Sequence, residues 1–398
     1  MNILYYLDEY PKLSESFILN EIAELDARGH NVAVFALNNP EENITHSEVK
    51  NLQIETYYAK KPSYSNITDV ADPRIRNLGL REFVRNEVKP KHAAYHLHLA
   101  LQCVDFVNAL PYEIDIIHGH FATHTKLGGR YAANYFDLPF TVTAHAYEIF
   151  LHDQRDTAKQ VLTAVDQIVV PSEYNKKFLK EILGVDNLFN VVYATTDVDN
   201  FTPTDDECPK RLLTIARLVE KKGYEYSLQA VSRLVDEYPD IEYHIIGEGP
   251  LKDDLIELTT ELGISENIQF LGHVTDDRLH QELNEASIFV LPCAIAKNGD
   301  RDVIPVALKE AMAMETPCIS TPISGISEMI KDNENGILVP DRDSEELAQA
   351  MATLFETPEQ RRRLGTAGRE TIARKFDIES AVDDLTATFK KSVSSLRH

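Results

Sequence analysis

A chain of 398 residues is long enough for two domains with separate cores, and 43% hydrophobic against 26% charged residues, without repeats or low-complexity runs, fits a globular enzyme. The formal charge of −24 argues against nucleic acid as a partner and favours an acidic surface that stays soluble in salt. Cys103, Cys208, Cys293 and Cys318 lack CxxC spacing, which fits a reducing cytoplasm and no zinc site.

"MNILYYLDEYPK" has neither a basic start nor a long apolar region, so no signal peptide is expected, and no later apolar run approaches the length of a membrane span. "NILYYL", "NVAVFAL", "DIIHGH", "PFTVTAH", "DQIVVPS" and "FNVVYA" read as strands. Between the first two, residues 16 to 28 predict a helix with Phe17, Ile18, Ile22 and Leu25 on one face and Gly29 at its end. Residues 74 to 92 carry six basic residues against Glu82 and Glu87, interleaved with apolar ones. That segment reads either as a solvated helix packed on its own domain or as a contact with anionic membrane. Polar residues 195 to 211 read as a linker. Beyond it "LLTIAR", "IEYHIIGEG", "NIQFLGH", "SIFVLPC", "TPCIST" and "GILVP" resume the strand pattern, with helices between and after them. The expected architecture is α/β, with mostly parallel sheets in domains 1–200 and 201–375. Residues 376–398 form a closing helix expected to pack toward the first domain. A cleft between the carboxyl ends of the two sets of strands would hold ligand.

"RDVIPVALKEAMAMETP", residues 301 to 317, keeps Asp302 and Glu310 in an otherwise apolar segment whose Pro305 suits the first turn of a helix. In one reading Asp302 caps that helix and Glu310 pairs with a neighbouring cation. In the other they flank a phosphate seated on the backbone N–H groups of residues 303 to 306 and accept from hydroxyls. Arg217 and Lys222, after the strand "LLTIA", suit a diphosphate. Gly247 and Gly249 in "GEGP" permit close approach of backbone to a ligand or form a plain turn. His145 ends the "PFTVTA" strand, placed to donate to a hydroxyl or to serve as a core histidine. His118 and His120 share a strand face as metal-binding pairs do, with His124 and His145 as further candidates. They support a rival reading, a metal-dependent hydrolase.

"YPKLSESFILNEIAELDARGHNVAVFAL", "HGHF", "TAHAYEIF", "ARLVEKKG", "IIGEGPL", "FLGHV", "DVIPVALKEAMAMETPCISTPISGISEMI" and "NENGILVPDRD" resemble, in order, the retaining glycosyltransferases of family four. The likeness is closest to the branch that builds surface polysaccharides. It implies the GT-B fold, with two Rossmann-like domains, and a metal-independent hexosyltransferase without cofactor. The implied partners are a nucleotide-sugar donor and a glycan or lipid-linked acceptor, in the cytoplasm or at the inner membrane face. The family's Glu-x7-Glu motif falls on Asp302 and Glu310, so Glu310 is expected on ribose and Asp302 on the sugar. Arg217 and Lys222 match the diphosphate pair and His145 the histidine beside the reacting sugar. Gly247, Gly249, His273, Ile304, Pro305 and Val306 are expected around the donor. Three departures stand out: Asp302 for Glu, Ser324 and Ser327 in the usual Gly-Gly-x-Pro-Glu, and Thr195 and Thr196 for Asn-Gly. An epimerase or a phosphorylase on the same fold is the alternative.

Overall fold

The computed structural model describes residues 1–12, 15–40, 54–61, 72–79, 90–193, 196–204 and 206–396, the side chains of residues 16, 90 and 91 excepted. The chain divides into two units. The first comprises Met1–Pro171, Asn175–Val192 and the residues from Ala381 on; the second comprises Ser172–Tyr174 and Tyr193–Ser380.

The first unit is built on seven parallel strands in the order β3-β2-β1-β4-β5-β6-β7. They are β1 (Asn2–Glu9), β2 (Asn31–Asn38), β3 (Glu55–Tyr58), β4 (Ile116–His120), β5 (Phe140–Thr143), β6 (Gln167–Val170) and β7 (Leu188–Val191). Ile3 to Leu7 are buried without alternation, as a central strand covered on both faces requires. Helix α1 (Ser16–Ala27) lays Ile18, Ile22 and Leu25 into the core. It stops where Gly29, at φ +78°, turns the chain so that its N–H and that of His30 reach the Asp26 and Leu25 carbonyls. The closing helix, Ile378–Leu396, is tied to this unit beyond Ala381. Asn190 donates to Thr388 at 2.6 Å, and Ser392 donates to Gln167 at 2.6 Å. Strand β3 was not expected from the sequence. It is a four-residue edge strand with both ends exposed, too short and too wet to show a hydrophobic period.

The second unit has six parallel strands in the order β10-β9-β8-β11-β12-β13. They are β8 (Cys208–Ile215), β9 (Glu242–Ile246), β10 (Ile268–Gly272), β11 (Ala286–Leu291), β12 (Cys318–Ser320) and β13 (Ile337–Leu338). Helices α2 (Tyr224–Leu234), α3 (Asp276–Glu285) and α4 (Val306–Ala313) follow β8, β10 and β11. Leu212, Ile245, Ile288, Val290 and Ile319 form the middle of its core, against Leu228 and Val231 of α2. The expected linker ends early, because β8 begins at Cys208. The register slips between Ala286 and Ile288, beside Lys210 at φ +63°, and that irregularity hides the start of the strand from a pattern search.

Among the described residues no helix is long and apolar enough to cross a membrane. Of the basic segment 74 to 92, residues 80 to 89 lie outside the described residues, and so does Thr195 of the expected hinge. Arg74 is paired with Asp72 at 2.7 Å and with Asp105.

Candidate active site

The sequence-predicted residues fall into two groups, one in each unit. In the second unit β8 and β11 are neighbours, and their carboxyl ends deliver Arg217, the Glu220–Lys222 turn and the loop to Asp302. Lys222 Nζ lies 2.6 Å from Asp302 Oδ2. Lys221 Nζ lies 3.0 Å from Asp300 and 3.5 Å from Asp302 Oδ1. The Cys293 thiol donates to Asp302 at 3.7 Å. Burial alone would push the Asp302 carboxyl up, but Lys222 and Lys221 hold it below its ordinary value. Burial likewise opposes the charge on Lys222, and Asp302 keeps its pKa raised. One reading of Asp302 needs correcting: it does not cap the helix, since the N-cap of α4 is Pro305, without any side-chain hydrogen bond, and the helix starts at Val306. Asp302 and Lys222, expected on the sugar and on the diphosphate, meet each other here, as two opposite charges shielded from water do.

Arg217 and Glu310 are the unpaired members of the predicted set. Arg217 is exposed and has no ion-pair or side-chain hydrogen-bond partner among the described residues. Glu310, on α4, is half-buried, and its side chain has no hydrogen bond there either. Burial raises its pKa, with Lys309 opposing. Lys309 itself is pushed down to about 7 by burial. Among the described residues no side chain caps the first turn of α4, so the N–H groups of Val306 and Ala307 stay available to an anion. Ile304 and Val303 before them are fixed by Gly325, whose N–H donates to the Val303 carbonyl at 3.1 Å; a Cβ there would lie 2.9 Å from Ile304. Ser324 sits at φ +52°, a left-handed position that suits glycine, and its hydroxyl is buried without a partner. Glu328 accepts from the N–H groups of Glu173 and Tyr174 and from the Tyr193 hydroxyl, so its carboxylate is already occupied.

Gly247 and Gly249 answer a packing need. A Cβ on Gly247 would lie 2.1 Å from the Ala216 carbonyl oxygen, and one on Gly249 2.4 Å from that of Leu218. The Gly247 N–H is itself used, on the Gly272 carbonyl. The two glycines therefore let the β9 loop pack against the segment that carries Arg217. His273 follows β10 and is exposed.

In the first unit β4 and β5 carry the histidines. His118 hydrogen bonds to Thr141 at 2.7 Å and Thr143 at 3.1 Å. His120 Nδ1 lies 3.1 Å from His145 Nε2, and His120 Nε2 lies 3.1 Å from Glu21 Oε1. Burial drives the pKa of His118 and His120 down to about 3 and that of His145 well below its ordinary value, so all three rings are neutral at pH 7. Glu148 Oε1 accepts the N–H groups of His145 at 2.6 Å and Ala122 at 3.1 Å, which fixes the backbone on either side. His124 is elsewhere, against His96 at 3.1 Å. Donor atoms of Glu21, His118 and His120 do lie within 4.8 Å of one another. Their nitrogens nevertheless have hydrogen-bond partners within the protein, so the geometry is accounted for without an ion. Glu21 was not anticipated. Its signal is its place four residues after Phe17 and four before Leu25, a carboxylate inside the apolar stripe of α1.

Residues 197–371 match the family model described as Glycosyl transferases group 1, and residues 14–200 match Glycosyltransferase Family 4. The chain is a family-four glycosyltransferase. Among its curated relatives are the putative colanic acid biosynthesis glycosyltransferase WcaL of Escherichia coli, at 25% identity, and the amylovoran biosynthesis glycosyltransferase AmsK of Erwinia amylovora, at 26%. Each alignment covers 89% of this chain and 91% of the relative. Among solved structures, HepE of Anabaena in complex with UDP superposes with a TM-score of 0.75 at 15% identity, covering 98% of this glycosyltransferase and all of that chain. Sucrose-phosphate synthase of Thermosynechococcus elongatus gives 0.73 at 17%, covering 99% of this chain and all of the other. These likenesses establish the fold expected from the sequence, GT-B.

Proposed function

We propose that this glycosyltransferase moves a hexose from a nucleoside-diphosphate sugar to a hydroxyl of a glycan or lipid-linked acceptor, with retention and without a metal ion, in building a surface polysaccharide. The relatives named for colanic acid and amylovoran biosynthesis support the pathway class, and HepE, solved with UDP and with UDP-glucose, supports the donor class. The observation that carries the reading is the uncapped first turn of α4, with Glu310 further along that helix and Arg217 after β8 both lacking an ion pair or side-chain hydrogen bond among the described residues. Glu310 is free to accept from ribose hydroxyls, and Arg217 is free to meet phosphate. As the glycosidic C–O bond breaks, its electron pair passes to the departing diphosphate. Arg217 and the N–H groups of Val306 and Ala307 stabilise that charge. The acceptor hydroxyl attacks from the same face, and its proton goes to the leaving phosphate. The Lys222–Asp302 pair opens in part, Lys222 toward the diphosphate and Asp302 toward a sugar hydroxyl. An epimerase or phosphorylase would form no glycoside from nucleotide sugar and acceptor.

The test is a thermal-shift panel of UDP- and GDP-sugars in EDTA, followed by transfer assays. At least one donor should raise the melting temperature, since a ligand at 100 times its Kd adds about 2.7 kcal/mol of stability. Glu310→Gln should weaken nucleotide binding roughly 10–100-fold, the scale of a lost charge-assisted hydrogen bond. Most transfer should survive EDTA. A panel with no shift, or transfer abolished by EDTA and restored by manganese, would sink the proposal.

A further inference from the structure

His145 stands at the end of a hydrogen-bonded chain that runs back into the core of the first unit. The Tyr5 hydroxyl donates to Glu21 Oε1 at 2.5 Å, the same oxygen that faces His120 Nε2 at 3.1 Å, and His120 Nδ1 faces His145 Nε2 at 3.1 Å. Tyr5 is fully buried and His120 is 2% exposed. Phe17 and Phe121 flank the His145 ring at centroid distances of 5.0 and 4.5 Å, and the two histidine rings stack at 5.4 Å. Little freedom of rotation is left to any member. His145 Nδ1 has no hydrogen-bond partner among the described residues.

Hydrogen-bond complementarity then fixes where the protons sit. Glu21 Oε1 accepts from Tyr5, so it acts as an acceptor toward His120 as well, and His120 carries its proton on Nε2. A neutral ring protonated at Nε2 has a lone pair on Nδ1, so the proton between the two histidines belongs to His145 Nε2. We propose that Glu21, His120 and Tyr5 are positioning residues that lock His145 in its Nε2–H tautomer and present Nδ1 as an acceptor for a hydroxyl of the donor sugar or acceptor. The assignment reverses the expectation that His145 donates, and it rests on the reading that His145 lies beside the reacting sugar. The device resembles the way a buried carboxylate sets the tautomer of a catalytic histidine in hydrolases, extended by one ring.

Nitrogen-15 NMR of the full-length protein labelled at histidine reads the tautomer directly, and the signals absent from His145→Gln identify the residue. The expected wild-type pattern is a protonated Nε2 and an unprotonated Nδ1 at His145. In Glu21→Leu, which fits the apolar stripe of α1, that pattern should give way to a mixture of tautomers. Turnover of the nucleotide sugar that gives the largest thermal shift should then fall roughly 10–100-fold with KM nearly unchanged, the scale for losing a residue that orients a functional histidine. Glu21→Gln keeps an acceptor oxygen and should stay within a few-fold of wild type, with the wild-type tautomer. A protonated Nδ1 in the wild type, or an unchanged tautomer in Glu21→Leu, overturns the relay. Full turnover in His145→Gln overturns instead the place of His145 at the sugar, and with it the functional half of the proposal.

Discussion

Asp302 and Glu310 share one short segment but differ in electrostatic state. Asp302 is ionised against Lys222, whereas Glu310 has no ion pair or side-chain hydrogen bond among the described residues, and the same contrast separates Lys222 from Arg217. Arg217→Ala removes an exposed charge with no ion-pair or side-chain hydrogen-bond partner among the described residues, so stability should move by no more than about 0.5 kcal/mol. Its kcat/KM should fall roughly 10²–10³-fold, the cost of losing one preorganised donor to developing charge. Lys222→Ala should differ, because it takes the nearer cation from the shielded Asp302 carboxylate and leaves it to Lys221 at 3.5 Å, a loss of roughly 1–3 kcal/mol. Denaturant melts beside steady-state kinetics make the comparison, and an Arg217→Ala that unfolds early or turns over normally would place the diphosphate elsewhere. Much of this site was legible in sequence, because Arg217, Glu310 and the Pro305 turn sit in local patterns. The pairing of Asp302 was not, since Lys222 lies 80 residues earlier and meets it only when β8 and β11 become neighbours.

At the scale of elements, the loops after β8 and β9 are held by backbone contact. Ala216 donates to the Ile246 carbonyl and Leu218 to that of Glu248, both at 3.0 Å, with the glycines filling the space between. Gly249→Ala forces a Cβ to within 2.4 Å of the Leu218 oxygen, so the segment carrying Arg217 has to move. The expected result is about 1–3 kcal/mol of lost stability, the usual cost of overpacking. Turnover should fall roughly 10²-fold, as displacement of a charged group by about 1 Å implies. Gly368→Ala serves as the control. Its Cβ would make an ordinary 3.4 Å contact inside the helix Pro358–Lys375, so stability should hold or rise. Normal turnover in Gly249→Ala would show that the loop accommodates the methyl group without moving Arg217. Apart from β3, the strands were readable because buried parallel strands are continuous apolar runs. The packing of the glycines was not, because the carbonyls they meet lie some thirty residues away in the chain. Glu21 escaped for a related reason: an isolated acid in an apolar stripe shows that a partner is needed but not which one.

At the scale of the whole molecule, each unit carries its own buried carboxylates, and their signs predict how it meets acid. In the first unit Asp8 is held below its ordinary value by Lys126 against the effect of burial, while burial pushes Glu21 and Glu148 up. In the second unit Asp302, and Glu282 beside His244 and Arg278, are held down against burial, and Glu310 is raised by it. A lowered carboxyl contributes stability that is present above its unfolded pKa, about 3.9 for Asp and 4.3 for Glu, and that is lost as pH falls through the folded value. A raised carboxyl does the opposite, because the folded chain takes up its proton first and gains stability as pH falls toward the unfolded value. Among these carboxylates the first unit sets two gains against one loss, but its buried neutral His118, His120 and His145 add a larger loss: the unfolded rings take up protons from about pH 6.5 downward, whereas burial holds the folded values of His118 and His120 down to about 3 and that of His145 well below the ordinary one. The second unit sets two losses against one gain. Calorimetry from pH 6 to pH 3 should show the first unit's transition falling from about pH 6 onward and by more, and the second unit's transition falling chiefly below about pH 4. The double variant Lys222→Met, Asp302→Leu identifies that transition, because it removes one of the acid-sensitive groups together with its partner and should flatten the acid slope. A steeper fall in the transition that the double variant flattens would mean that burial does not hold the histidines of the first unit neutral.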